Sequence, residues 1–167
     1  MTLAEINGAD RAAFTAALGH LFEHSPWVAD RTWPARPFGD AADLHAKLCA
    51  TLAAAPQTEQ LELIRAHPDL AGRLAQLGQL TAASTREQAS AGLNAMKPDE
   101  LLRFQRLNAE YRARFDFPFV ICARLNDRSA IARALELRLY HSADTERQTA
   151  LAEIEKIAWL RLQDVLA

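Results

Sequence analysis

Three clusters of polar residues in this chain have types and spacings that chemistry can use. The first is His67-Pro68, within "IRAHPDLAGR" at 64–73. An imidazole with an unperturbed pKa of about 6.5 can give or take a proton near neutrality. The proline behind it disfavours helical geometry at His67, which pins the ring at a corner between two helices. Pro68 can then occupy the first turn of the next helix, whose N-terminal dipole would favour a neutral ring. The second cluster is "STREQ" at 84–88. Ser84 followed by Glu87 is the pattern of a capping box. A helix start carrying Ser84, Glu87 and Gln88 together can also receive a polar or anionic ligand. The third is Arg161, which shares a helical face with Ile154, Ala158 and Val165 and lies beside Ile157. An arginine in an apolar stripe snorkels to water, pairs with a carboxylate or holds an anionic ligand. Each cluster also has an ordinary reading: a packing or capping histidine, a plain capping box, a snorkelling arginine. Local sequence leaves both kinds of reading open.

Other chemistries find less support. His20, His24, His45 and His141 make no HExxH motif, and Cys49 and Cys122 lie far apart without CxxC spacing, so neither a metal site nor a disulfide is expected. No glycine-rich phosphate loop occurs, and "AHPDLAG" places no nucleophilic serine or cysteine beside a base. Tyr111 and Phe115, one helical turn apart, are read as core. A net charge of −2 with acids and bases interspersed leaves no electrostatic footprint for nucleic acid. No apolar run approaches the length of a membrane span. "MTLAEINGADRAAF" is not patterned as a signal peptide and "DVLA" is not a peroxisomal tripeptide, so a cytoplasmic location is expected.

The elements that must position these residues read as helices. Half of the 167 residues are hydrophobic, and they recur at helical rather than alternating spacing. Helices are expected over 11–24, 41–55, 59–66, 68–77, 85–96, 98–115, 129–140 and 145–166. "SPW" at 25–27 reads as an N-cap serine followed by proline at the first helical position, and "KPDELL" at 97–102 starts a helix in a similar way. The one strand-like run, "FPFVICA" at 117–123, contains a proline that argues against a central strand. The loop "RTWPARPFGD" at 31–40 is long enough to cross a surface but not to join domains. The expected architecture is all-α: residues 1–167 as a single-domain bundle of about eight helices with a cleft between them.

Taken in order, "FEHSPWVADRTW" (22–33), "LIRAHPDLAGR" (63–73), "STREQASAGL" (84–93), "LNAEYRARFDFPFVICA" (107–123) and "EIEKIAWLRL" (153–162) resemble the family of 2-oxo-4-hydroxy-4-carboxy-5-ureidoimidazoline (OHCU) decarboxylases of urate breakdown. The resemblance runs from about Phe14 to Leu162. It implies an all-helical fold, a homodimer, a small-molecule substrate, and action without metal or organic cofactor. It implies His67 as the catalytic acid/base with Pro68 beside it lining the pocket. It also implies a substrate-binding turn of Ser84, Thr85, Arg86, Glu87 and Gln88, in which Glu87 and Gln88 meet the ureido and ring groups. Phe119, Val120, Ile121, Cys122 and Ala123 would line the same pocket through their backbone, and Arg161 would contact substrate oxygens.

The implied reaction suits these residues. In this substrate class the departing carboxylate sits on a hydroxyl-bearing carbon next to an unsaturated ring, which can accept the electron pair, so a dedicated electron-sink cofactor is not required. The protein is left with orientation, stabilisation of the developing enolate and delivery of a proton to one face. Two rival readings make different demands. A helical interaction module would leave Arg161 exposed or internally paired and bring no polar groups together at His67. A metal-dependent hydrolase would gather His67, Asp69 and a second histidine.

Overall fold

Lys97-Pro98-Asp99-Glu100 shows how this chain starts a helix. Pro98 takes the first helical position, where its missing N–H costs nothing. The Glu100 carboxylate turns back to accept the Lys97 N–H at 2.9 Å. The helix runs Pro98–Phe115, as expected, and stops where Asp116 turns left-handed (φ 60°). The computed structural model describes residues 1–72 and 78–167. Among the described residues there are nine α-helices, three short 3-10 turns and no strand. In chain order the helices are α1 Leu3–Gly8, α2 Arg11–Leu18, α3 Trp27–Thr32, α4 Ala41–Ala53 and α5 Gln57–Arg65, followed by α6 Ala82–Ser90, α7 Pro98–Phe115, α8 Arg128–Arg138 and α9 Ala143–Leu166. The all-α expectation holds.

The departures have local causes. The helix expected over 11–24 stops at Leu18 and is followed by Gly19, which packs so close to the next segment that a Cβ there would fall 2.9 Å from the Pro26 Cβ. The chain then turns through His24, which is left-handed (φ 48°). α3 begins at Trp27 with Pro26, not Ser25, at the cap position and no side-chain cap. α6 begins before Ser84: Thr81 is the N-cap, and its Oγ1 accepts the Ser84 N–H at 3.2 Å. The helix ends early because Gly92 turns left-handed (φ 74°), a conformation glycine adopts without steric cost. Of the helix expected over 68–77, residues 68–72 form a turn instead, and 73–77 lie outside the described residues.

The described chain groups into two compact units, residues 1–66 with 154–167 and residues 67–153. No linker marks either junction. One falls at Ala66-His67 and the other within α9.

In the first unit α3 packs against both α2 and α4. Phe14 of α2 stacks on Phe38 with ring centroids 5.9 Å apart. The Asn7 side chain then fixes the Phe38 backbone through bonds of 2.9 and 2.8 Å to its carbonyl and N–H. The carbonyls at and just beyond the end of α4 are met by the buried Gln60 amide, 3.2 Å from the oxygens of Leu52, Ala53 and Ala55.

In the second unit α7 packs on α8. Its inward face carries Phe104, Leu107, Asn108, Tyr111 and Phe115, at the three- and four-residue spacing of an amphipathic helix. Tyr111, fully buried, meets Phe115 at 4.6 Å and Phe119 edge-on at 5.3 Å. Such aromatic pairs contribute roughly 0.5–1.5 kcal/mol each beyond the area they bury. Residues 117–122 are neither helix nor strand, yet 117–123 are buried throughout.

Candidate active site

His67 follows the end of α5 and is the first residue of the second unit. It is buried, with 7% of its surface exposed, while Pro68 is half-buried. The turn behind it is held from three sides. Gly72 N–H bonds to the Asp69 carbonyl at 3.2 Å, and Ala71 adopts a left-handed conformation (φ 49°) that alanine rarely takes. Ala71 N–H is claimed by the side-chain oxygen of buried Gln88 at 2.9 Å, and the Leu70 carbonyl by the amide of buried Asn108 at 2.8 Å. Arg112 adds an outer tie to Asp69 at 3.0 Å. These tertiary bonds explain why Pro68 does not simply open a helix: the backbone at Leu70 and Ala71 is bonded to α6 and α7 instead.

α6 divides the "STREQ" segment by helical phase. Ser84 and Gln88, four residues apart, are buried, and Glu87 between them is half-buried. Thr85 and Arg86 are exposed, and each bonds back to its own helix, Thr85 Oγ1 to the Thr81 carbonyl and Arg86 Nε to the Ala82 carbonyl. The segment is part of a helix rather than the expected substrate-binding turn, and only Ser84, Glu87 and Gln88 lie on its inner side. α6 also packs on the 3-10 turn Ala123–Leu125.

The buried stretch Phe119–Ala123 needs partners for its backbone, since an unpaired buried N–H or C=O is costly. Glu153 of α9 accepts the Cys122 N–H at 2.8 Å. Arg138 of α8 donates to the Val120 carbonyl at 2.8 Å and lies over the Phe119 ring at 4.4 Å. The same guanidinium is paired at 2.5 Å with Glu146, which is wholly buried. Asn126 and Leu125 both donate to the Cys122 carbonyl. Burial raises the Cys122 thiol pKa, and the Glu153 and Glu87 carboxylates raise it further. The second unit thus ties the turn behind His67 to the inner face of α6, and α6 in turn packs on the turn that ends the 119–123 segment.

Arg161 lies in the first unit and does not snorkel. Only 4% of its surface is exposed. Its Nη2 pairs with the buried Glu23 carboxylate at 2.9 Å, and its Nη1 donates to the carbonyls of His20 (3.2 Å) and Leu21 (3.5 Å). Partial burial and the Arg161 charge together hold His20 below its ordinary pKa.

Several site-building residues were not legible in local sequence. Asn108 is the one signal that was available, an amide within the apolar stripe of α7. Glu23, Arg138 and Glu153 bond to groups remote in sequence, and nothing near them marks their role. A cavity of about 240 Å³ in the second unit is bordered by Ala71, Thr85, Gln88, Leu93 and Met96 among others. Among the described residues no three His, Cys, Asp or Glu side chains come together as a metal site. His20 and His24 do not share a helix, since α2 ends at Leu18. No described helix is long and apolar enough to cross a membrane.

A buried histidine corner tied to a polar helix face and a buried backbone wall is the equipment of an all-helical enzyme for a small-molecule substrate. A family model for OHCU decarboxylase matches residues 7–163. The chain is 45% identical over 166 residues to the 2-oxo-4-hydroxy-4-carboxy-5-ureidoimidazoline decarboxylase of Mus musculus, covering 99% of this chain and 93% of that one. It therefore belongs to the OHCU decarboxylase family. A crystal structure of (S)-allantoin synthase matches with a TM-score of 0.80 and 26% identity, across 100% of this chain and 54% of that one. A crystal structure of OHCU decarboxylase in the presence of (S)-allantoin shares the fold, with a TM-score of 0.71 and 19% identity over 95% of this chain and 99% of that one.

Proposed function

We propose that this chain decarboxylates OHCU to (S)-allantoin without metal or organic cofactor, with His67 as general acid/base. The observation that carries the reading is the buried His67 corner, whose turn is bonded to the polar face of α6 through Gln88 and Ala71. Membership of the family supports the substrate and the reaction.

The carbon–carboxylate bond breaks and its electron pair enters the unsaturated ring as CO2 leaves, giving an enol. The hydroxyl then loses its proton to become a carbonyl, and a proton delivered to one face of the neighbouring ureido-bearing carbon sets the configuration. An imidazole near neutrality can hold that proton or remove one from the adjacent hydroxyl. Ser84, Glu87 and Gln88 present polar groups for the ureido and ring atoms, with Pro68, Thr85 and Arg86 completing the binding segments. Phe119, Val120, Ile121, Cys122 and Ala123 offer a buried wall that keeps water from the carboxylate, which favours loss of its charge as CO2.

Arg161 is assigned to a ring or ureido oxygen that gains charge. Bound to the departing carboxylate, it would stabilise the ground state and lose its partner in the transition state. Its pairing with Glu23 is compatible with either an internal role or a ligand-facing one, and kinetics separates the two. An Arg161→Lys variant is expected to lose kcat rather than only raise KM. The family resemblance also supports a cytoplasmic homodimer.

The deciding experiment follows the circular dichroism of OHCU generated in the cuvette, with the wild type and His67→Asn compared. Rapid formation of one allantoin enantiomer by the wild type alone is expected. Racemic product at the uncatalysed rate from both would reduce His67 to a corner residue and overturn the proposal.

A further inference from the structure

We infer that Glu23 is a positioning residue that cancels the net charge of Arg161, so that the guanidinium acts as a directional hydrogen-bond donor rather than a free cation. The inference rests on the proposed reading, in which Arg161 meets a substrate oxygen.

The geometry is specific. Glu23 is 3% exposed and Arg161 4%, so their 2.9 Å ion pair is shielded from water, where charges act on one another most strongly. The Glu23 carboxylate and two carbonyls all come from the short turn after α2, and all face the same guanidinium. His24, left-handed at φ 48°, turns the chain immediately after Glu23, and its exposed ring lies 4.0 Å from the other carboxylate oxygen. A snorkelling arginine would need none of this. A buried arginine without a carboxylate would carry an uncompensated charge at high cost.

The chemistry gives the arrangement a use. OHCU is an anion whose charge begins on the carboxylate and ends, as CO2 departs, on the ring. A bare buried cation attracts that charge wherever it sits, so it stabilises the substrate as well as the transition state. Paired with Glu23, the guanidinium has little long-range field left, because the fields of the two ions largely cancel at a distance. A short hydrogen bond survives, and it strengthens only at the oxygen in direct contact, where charge appears as the reaction proceeds. Glu23 would thereby turn an anion trap into a group selective for the transition state.

Glu23→Gln keeps the shape and removes the charge. The expected result is a KM for OHCU lowered severalfold, a kcat lowered about tenfold, and an unchanged inhibition constant for allantoin, which is neutral. A role confined to packing would instead weaken OHCU and allantoin together, and that result, or wild-type kinetics, would overturn the inference. Should Glu23→Gln fail to fold, Glu23→Asp carries the test: it keeps the charge but shortens the reach, so KM should hold while kcat falls. A parallel rise in KM and the allantoin constant would overturn it. Arg161→Ala in the same assay isolates the underlying reading. If that variant keeps full activity, the assignment of Arg161 has failed and not the pairing argument. If the wild type leaves OHCU at its uncatalysed rate, the proposed reaction itself has failed.

Discussion

The side-chain oxygen of Gln88 accepts the backbone N–H of Ala71 at 2.9 Å, a buried bond that ties the turn behind His67 to the helix carrying Ser84 and Glu87. Ala71 is left-handed at φ 49°, so its conformation has to be held by contacts from outside the turn. Gln88 supplies one and Asn108, donating to Leu70, supplies another.

Replacing Gln88 by Leu keeps the volume and removes the acceptor. Stability should fall by about 1–3 kcal/mol, the cost of a buried donor left without a partner. Amide hydrogen exchange at Ala71 should quicken by more than the global loss of stability accounts for. Gln88→Glu, which retains an acceptor, should keep Ala71 protected. Unchanged exchange at Ala71 in Gln88→Leu would show that the turn is held by other means.

The Arg138–Glu146 pair makes a second, sharper prediction. Removing one partner strands a buried charge, so Arg138→Met or Glu146→Leu should each cost about 3–5 kcal/mol by urea denaturation. The double variant Arg138→Met/Glu146→Leu should recover most of that loss. It should not recover all of it, because the Val120 carbonyl still lacks its donor, a deficit of about 1–3 kcal/mol. Strict additivity of the two single losses in the double variant would mean that the two residues do not act as a pair.

Both cysteines should be inert in the folded protein. Burial, with help from Glu155, pushes the Cys49 thiol up to about 12, and Cys122 is raised by burial and by its neighbouring carboxylates. The reactive thiolate is therefore scarce at both sites. Iodoacetamide at pH 8 should label neither residue until guanidinium unfolds the chain. Rapid labelling of native Cys122 would place it at an open surface, against the buried wall described for 119–123.

What the sequence made legible follows the range of the interactions involved. α7 runs over 98–115 as expected, because its start signal, Lys97 to Glu100, lies within one helical turn. Ser84 was read as a cap because Glu87 follows it at the right spacing, but Thr81 sits nearer the true start and takes the role. "FPFVICA" could be ruled out as a central strand by its proline. What holds it as a buried non-repetitive wall is Glu153 and Arg138, which no local pattern connects to it. Arg161 stood out as a charge in an apolar stripe, while its partner Glu23 sits in a turn after α2 that periodicity had assigned to helix. The fold was legible through short-range signals. The groups that orient the site were not, because each is defined by a contact between residues remote in sequence.

The pH dependence of stability should carry a signature of Glu155. Burial raises its pKa, and the nearby His45 only partly offsets this. With the folded-state pKa above the unfolded value, the folded protein binds more protons in that window, so stability falls as pH rises through it. The contribution is fully present below about pH 4.3, the ordinary glutamate value, and is lost once the folded carboxyl ionises. Glu155→Gln removes the buried charge while keeping a polar side chain of the same size. Its urea midpoint should exceed that of the wild type at pH 7, and the gain should shrink as pH falls toward 4. The backbone carbonyl of Glu155, which contacts His45 Nε2 at 2.9 Å, is untouched by the substitution, so the packing of α4 on this helix should survive it. A midpoint difference that stays constant from pH 4 to pH 7 would show that the ionisation of Glu155 is not what the substitution relieves.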